Sequence, residues 1–345
     1  MRMSPMKDRF LAHALPLIAA SGLVLAACGA DDGSGGESTS NGASVAAAFY
    51  PLAFVAERVA GEHASVENLT EPGVESHDLE LTARQVGQVA DADLVVHLAG
   101  YQPAVDAAIE QNASGAVLDA ASTVELLPDT HEHDDEHNED EDGHDDHEHD
   151  DHEHEEHEHD DEAHDDHGHG ELDGDPHLWL DPANMAAIAA DTADMLAEID
   201  PDNADAYHAN ASQLSDELNE LDGELASGLA QCERSLIVVS HEAFGYLTTR
   251  YGLDQLGVAG LDPDSEPSPA RVSEVHSTVE AEGITTVFYE RLSSPAVVES
   301  LANDLGLEIA VLDPIEGLTD ETADEDYFSL MRENLEAIRA ANECA

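Results

Sequence analysis

The chain has 345 residues, enough for two domains at roughly 100–200 residues each, and 41% of them are hydrophobic, enough for a core. Against 78 Asp and Glu stand 11 Lys and Arg, a formal net charge of −67 at pH 7; this excludes the basic surface that nucleic-acid binding needs and opposes contact with anionic membranes. Of the 21 His residues, 13 lie between His131 and His169 with 22 carboxylates and only four other residues, a composition that cannot form a packed core.

In chain order, residues 1–27 read as a secretory leader: Arg2, Lys7 and Arg9 precede a mostly apolar run over 10–27, too short and interrupted for a stop-transfer helix. Leu25-Ala26-Ala27-Cys28 resembles a lipobox, which would make Cys28 the lipidated N-terminus of the mature chain. Residues 28–44 are rich in Gly and Ser, as a flexible tether would be. The runs 46–49, 94–98 and 116–118 are strand-like, and 51–60 and 81–90 between them have helical spacing, the alternation of βαβ units.

Next comes the His/acid-rich insert, 129–171. Overlapping imidazole and carboxylate sets within it, such as His147, His149, His152, His154, His157 and His159, suit weak binding of several divalent ions. Its alternative reading is an acidic loop without function.

Residues 182–199 and 202–229 carry few breakers. Leu214, Leu218, Leu221, Leu225 and Leu229 repeat at three- and four-residue intervals, the mark of a helix. The second helix would be roughly 40 Å long, a rigid connection between lobes. The βαβ pattern then resumes, with strands at 235–239, 286–289 and 308–312 and helices at 268–282 and 295–305. The expected fold is therefore α/β, with two lobes, each a small, mostly parallel sheet flanked by helices, joined by one long rigid helix. The lobes span 45–201 and 230–345, with the connecting helix at 202–229. In a secreted chain whose Cys28 carries lipid, a Cys232–Cys344 disulfide is the economical pairing; two free thiols are the alternative.

Three histidines outside the insert stand at element junctions: His77, His177 and His241. His241 follows a strand, at the carboxyl end where open α/β sheets bind ligands. Glu290 and Asp313 follow the strands 286–289 and 308–312. Neutral imidazoles are the commonest zinc ligands, and three with one carboxylate would make a closed site.

Together, Phe49-Tyr50-Pro51-Leu52, Pro72-Gly73 with His77-Asp78, Asp175-Pro176-His177-Leu178-Trp179-Leu180-Asp181-Pro182, Ser240-His241 with Ala243-Phe244-Gly245-Tyr246, and Leu312-Asp313-Pro314 resemble the metal-type (cluster A-I) solute-binding proteins of ABC transporters. Within that family the resemblance is nearest to the zinc-binding ZnuA group and covers about residues 45–344. It implies metal ligands at His77, His177 and His241, with Asp313 as the fourth and Glu290 or water as alternatives. His241 stands where manganese binders carry Glu, which favours Zn²⁺ as the transported ligand. The resemblance further implies a monomeric, extracytoplasmic protein, lipid-anchored at the cell membrane or periplasmic, that passes Zn²⁺ to a membrane ABC permease.

Manganese or iron transport and metal buffering at the surface are the alternatives within a binding role. No enzyme is expected, since HExxH, G-x-S-x-G and P-loop motifs are absent; the opposing reading is a zinc hydrolase with Glu290 or Glu242 as base.

Overall fold

The computed structural model describes residues 42–128, 172 and 174–345. The leader, Cys28, most of the tether and the histidines proposed for auxiliary metal lie outside the described residues.

The N-terminal lobe is built from four short parallel strands. Strands β1 (Ser44–Ala47), β2 (Ser65–Asn68), β3 (Leu94–His97) and β4 (Ala116–Asp119) pair in the order β2-β1-β3-β4. Helices α1 (Tyr50–Ala60), α2 (Ala83–Asp91) and α3 (Pro103–Asn112) form the crossovers. Pro sits in the first turn of α1 and of α3, where the missing N–H costs no helical bond. A reciprocal capping box between Thr82 and Gln85 starts α2.

The C-terminal lobe repeats this plan. Strands β5 (Leu236–Val239), β6 (Asp254–Gly257), β7 (Thr286–Tyr289) and β8 (Glu308–Val311) pair in parallel in the order β6-β5-β7-β8. In each sheet the chain order reverses between the two central strands. A crevice opens there at the strands' carboxyl ends, and this position fixes where a ligand can sit.

Helices α4 (Pro182–Ile199) and α5 (Ala204–Leu229) lie between the two sheets in sequence. Asp181 caps α4 by accepting the N–H of Ala183. Asp200-Pro201 ends α4, and the Asp200 carboxylate takes hydrogen bonds from Asn203 and Tyr207. At 26 residues, α5 is roughly 39 Å long. Its buried stripe of Tyr207, Ala211, Leu214, Leu218, Leu221, Leu225 and Leu229 packs on α1 and α4 of the first lobe. It also packs on the C-terminal helix α9 (Tyr327–Asn342) and on α6 (Gly245–Tyr251) of the second. One apolar core therefore runs through both lobes. A smaller one lies under α7 (Pro269–Glu282) and α8 (Ala296–Leu305).

Polar ties also cross between the lobes. Trp179 donates its indole N–H to the carbonyl of Pro314 at 2.7 Å, and Tyr327 donates its hydroxyl to the carbonyl of Trp179 at 2.7 Å. The described residues form one compact unit. Among the described residues no helix is long and apolar enough to cross a membrane.

The sequence-expected Cys232–Cys344 disulfide is present and closes a loop with a separation of 112 residues. It holds the end of α9 beside the end of α5, where Arg234 also donates to the carbonyl of Ala341. A crosslink over so long a loop removes about 4–5 kcal/mol of unfolded-chain entropy in the chain-entropy model. Reduction should therefore lower stability by about 2–5 kcal/mol in denaturant titration. An unchanged midpoint would show that the tail contacts alone fix α9.

Candidate metal centre

Each histidine of interest reaches the crevice from a different element. His77 lies on the loop between β2 and α2. His177 begins the 3-10 turn over Leu178–Leu180 that leads into α4, and His241 is two residues past the end of β5. The structure brings these three together with Glu316, five residues beyond β8, in one group of potential metal ligands. His177, His241 and Glu316 are buried, and only His77 keeps a partly exposed edge.

The separations are those of a coordination polyhedron. Oε1 of Glu316 is 3.5 Å from Nε2 of His77, 3.5 Å from Nε2 of His177 and 3.6 Å from Nε2 of His241. The Nε2 atoms of His177 and His241 are 3.2 Å apart. A tetrahedral zinc ion with ligand bonds of 2.0–2.1 Å has ligand-to-ligand edges of about 3.3–3.4 Å. The four atoms thus stand near the corners such an ion requires.

Their partners direct the lone pairs inward. Nδ1 of His177 is 2.8 Å from Asp175, and Nδ1 of His241 is 2.6 Å from Glu290. An ionised carboxylate only accepts, so each Nδ1 carries the proton and each Nε2 turns a lone pair toward its neighbour. Two such lone pairs 3.2 Å apart require a proton or a cation between them. Nε2 of His77 and Oε1 of Glu316 are buried with no hydrogen-bond partner, a state that costs free energy unless an ion completes it.

A proton takes the ion's place in the metal-free site. Burial disfavours the His177 imidazolium, but the hydrogen bond to Asp175 and the nearby Glu316 carboxylate outweigh it and push its pKa up to about 9. Burial alone would raise Glu316; the close approach of the His177 and His77 imidazoles and the charge of His241 instead hold it well below the usual carboxylate range. Glu75 is pushed up to about 7 by burial and by the neighbouring Glu316 charge. It stands outside the four-residue group, with Oε2 accepting the N–H of Asp78.

The fourth position differs from expectation. Asp313 does not face the histidines; its carboxylate accepts from Arg291 at 2.6 Å and from the N–H of Ile315 at 2.8 Å. The chain turns after Pro314, so Glu316 rather than the residue nearest the strand end reaches the crevice. Glu290 likewise is placed behind His241, where it also accepts from Ser240 and Ser293. Glu242 pairs with Arg271. Asp313-Pro314 marks a turn after the strand, but nothing in the sequence says which later residue that turn aims at the sheet end.

An aromatic wall excludes water on one side. His177 lies 5.3 Å from the Trp179 ring and His77 lies 4.7 Å from the Tyr101 ring, centroid to centroid. Trp179 and Tyr101 also meet Phe49 at 4.9 Å. His97, by contrast, bonds Asp106 at 3.1 Å, and His208 bonds Asp194 at 2.9 Å; neither joins the group.

Comparison with known proteins adds four findings. The chain matches the family model "Zinc-uptake complex component A periplasmic" over residues 45–341. It is 30% identical over 297 residues to the zinc-binding lipoprotein AdcA of Streptococcus pneumoniae; the match covers 84% of this chain and 54% of that relative, so the chain spans about half its length. It is 29% identical over 330 residues to the high-affinity zinc uptake system protein ZnuA of Bacillus subtilis, covering 94% of this chain and 95% of that protein. The crystal structure of Zn(II)-bound AdcA from Streptococcus pneumoniae superposes with a TM-score of 0.67 at 29% identity, over 88% of this chain and 58% of that one. Because the family model spans most of the chain, residues 45–341, the chain belongs to the ZnuA family of zinc-uptake components.

Proposed function

We propose that this protein captures Zn²⁺ outside the cytoplasm, holds it on His77, His177, His241 and Glu316, and delivers it to a membrane ABC permease. The observation that carries the reading is the closed set of four inward-facing ligand atoms, two of them buried and otherwise unpartnered. Three imidazoles and one carboxylate suit zinc better than manganese, which prefers oxygen donors. The relatives are named as zinc-binding and zinc-uptake proteins. All four coordination positions would be filled by protein, whereas catalytic zinc keeps one for water. The site therefore binds its ion without doing chemistry on it.

A lipid at Cys28 would keep a monomeric carrier near its permease, and AdcA of Streptococcus pneumoniae is named a lipoprotein. Weak sites among the histidines of the insert would raise the local zinc concentration without shaping the tight site.

Two outcomes follow. Titration with zinc should find one tight site that survives deletion of residues 131–169, which removes only weak binding. His177→Ala should weaken the tight site at least ~100-fold, more than the 10–100-fold typical of losing a contact behind a ligand, and His97→Ala should change it little. Loss of the tight site with the insert would assign zinc to buffering instead.

The second outcome concerns pH. The His177 imidazolium must lose its proton to coordinate, so with a pKa of about 9 zinc affinity should rise with pH from 7 to 9, about tenfold per unit for one displaced proton, and level off above. The same group has an ordinary pKa near 6.5 when unfolded. Its contribution to metal-free stability is therefore full below about 6.5 and lost as pH rises through 9. Calorimetry in buffers of different ionisation enthalpy should find about one proton released per zinc at pH 7.5. Release of none would mean that His177 is already neutral.

A further inference from the structure

The turn after β8 is folded against its own sequence. Ile315 has a φ of 60°, a left-handed backbone that a β-branched residue adopts only when its surroundings force it. Proline at the second position and a positive φ at the third is the pattern of a type II turn, whose third residue is ordinarily glycine or asparagine. Here that residue is a fully buried isoleucine, and the next one carries the carboxylate of the metal centre.

A set of hydrogen bonds holds the turn in this state, and it centres on Asp313. The Asp313 carboxylate accepts the N–H of Ile315 at 2.8 Å and a guanidinium N–H of Arg291 at 2.6 Å. Arg291 is itself fixed by Glu333 at 3.0 Å. Asn334 of α9 takes the backbone of Asp313 from both sides: Oδ1 accepts its N–H at 2.8 Å, and Nδ2 donates to its carbonyl at 2.6 Å. Every polar atom of Asp313 is thereby engaged in holding the turn.

We propose that Asp313 is a positioning residue for metal capture. With Arg291 and Asn334 it clamps Ile315 in the left-handed conformation, and this conformation sends the Glu316 side chain toward the three imidazoles. Local strain of this kind persists where the surrounding structure over-determines it, and it gathers at ligand clamps. The ordering of the fourth ligand is thus completed during folding, which leaves less conformational freedom to lose when the ion arrives. The inference rests on the reading of Glu316 as a ligand.

The test is a double-substitution cycle in the full-length protein, with zinc affinity measured by chelator competition and Co²⁺ loaded as a spectroscopic probe. Glu316→Gln should weaken zinc at least ~100-fold, beyond the range for a supporting contact; if it does not, the ligand reading fails, and the clamp with it. Asp313→Ala should weaken zinc roughly 10–100-fold, and its Co²⁺ absorption should shift toward that of Glu316→Gln. The doubly substituted protein should bind no more weakly than Glu316→Gln alone, within ~3-fold, because both changes remove one interaction. Asp313→Asn, which keeps an acceptor for the Ile315 N–H, should restore most of the affinity.

Arg291→Met, at a partly exposed position, gives the same cycle if Asp313→Ala does not fold. With Glu316→Gln weakened as expected, additive losses in the double variant, or an unshifted Co²⁺ spectrum in Asp313→Ala, would overturn the clamp and leave the ligand reading standing.

Discussion

Four acceptor atoms aimed at one buried point are the arrangement on which the rest of this molecule depends. Left without a cation they repel, and left without water they are unsatisfied, so a chain that folds this way must hold them together by other means. Asp175 and Glu290 fix the two innermost imidazoles from behind, and they set which nitrogen bears the proton. The centre is thus two shells of opposite logic. The outer carboxylates accept hydrogen bonds from the imidazoles, and the inner atoms face one another across the crevice.

Such a centre needs a stiff frame, because errors of half an ångström undo coordination. Trp179 supplies much of it. Its ring abuts His177 at 5.3 Å, its N–H reaches across to Pro314, two residues before Glu316, and its carbonyl receives Tyr327 from α9. The stacked rings of Phe54 and Tyr327, 5.5 Å apart, join α1 to α9 in the same manner. Large movement of one lobe against the other would expose this shared apolar surface at about 25 cal/mol per Å².

Much of the fold was legible because central parallel strands are continuous apolar runs and the long helices have clean periodicity. The expected 182–199 coincides with α4, and 202–229 differs from α5 only in that its first residues form a 3-10 turn. The edge strands β2 and β6 were not read from sequence. Ser65-Val66-Glu67-Asn68 and Asp254-Gln255-Leu256-Gly257 each hold one large apolar residue, since an edge strand is covered on fewer sides and gives little periodic signal.

His77, His177 and His241 were legible from their junction positions and the motifs around them. Glu316 was not, because the geometry that aims it depends on a positive φ at isoleucine, which the rules of turn chemistry assign to other residues.

The root of the His/acid-rich insert carries a separate consequence. The N–H of Asp175 bonds the carbonyl of Leu127 at 2.8 Å, and the Tyr246 hydroxyl donates to the carbonyl of Asp175 and accepts the N–H of Leu127, both at 3.0 Å. The chain that departs after Leu127 is therefore tied off two residues before His177. Closing a longer excursion at a tied root costs only about 0.6 kcal/mol for each doubling of its length. A change in the length of the insert should then leave the imidazole beside it undisturbed. The root thus separates the geometry of the metal centre from the length of the segment that follows Leu127.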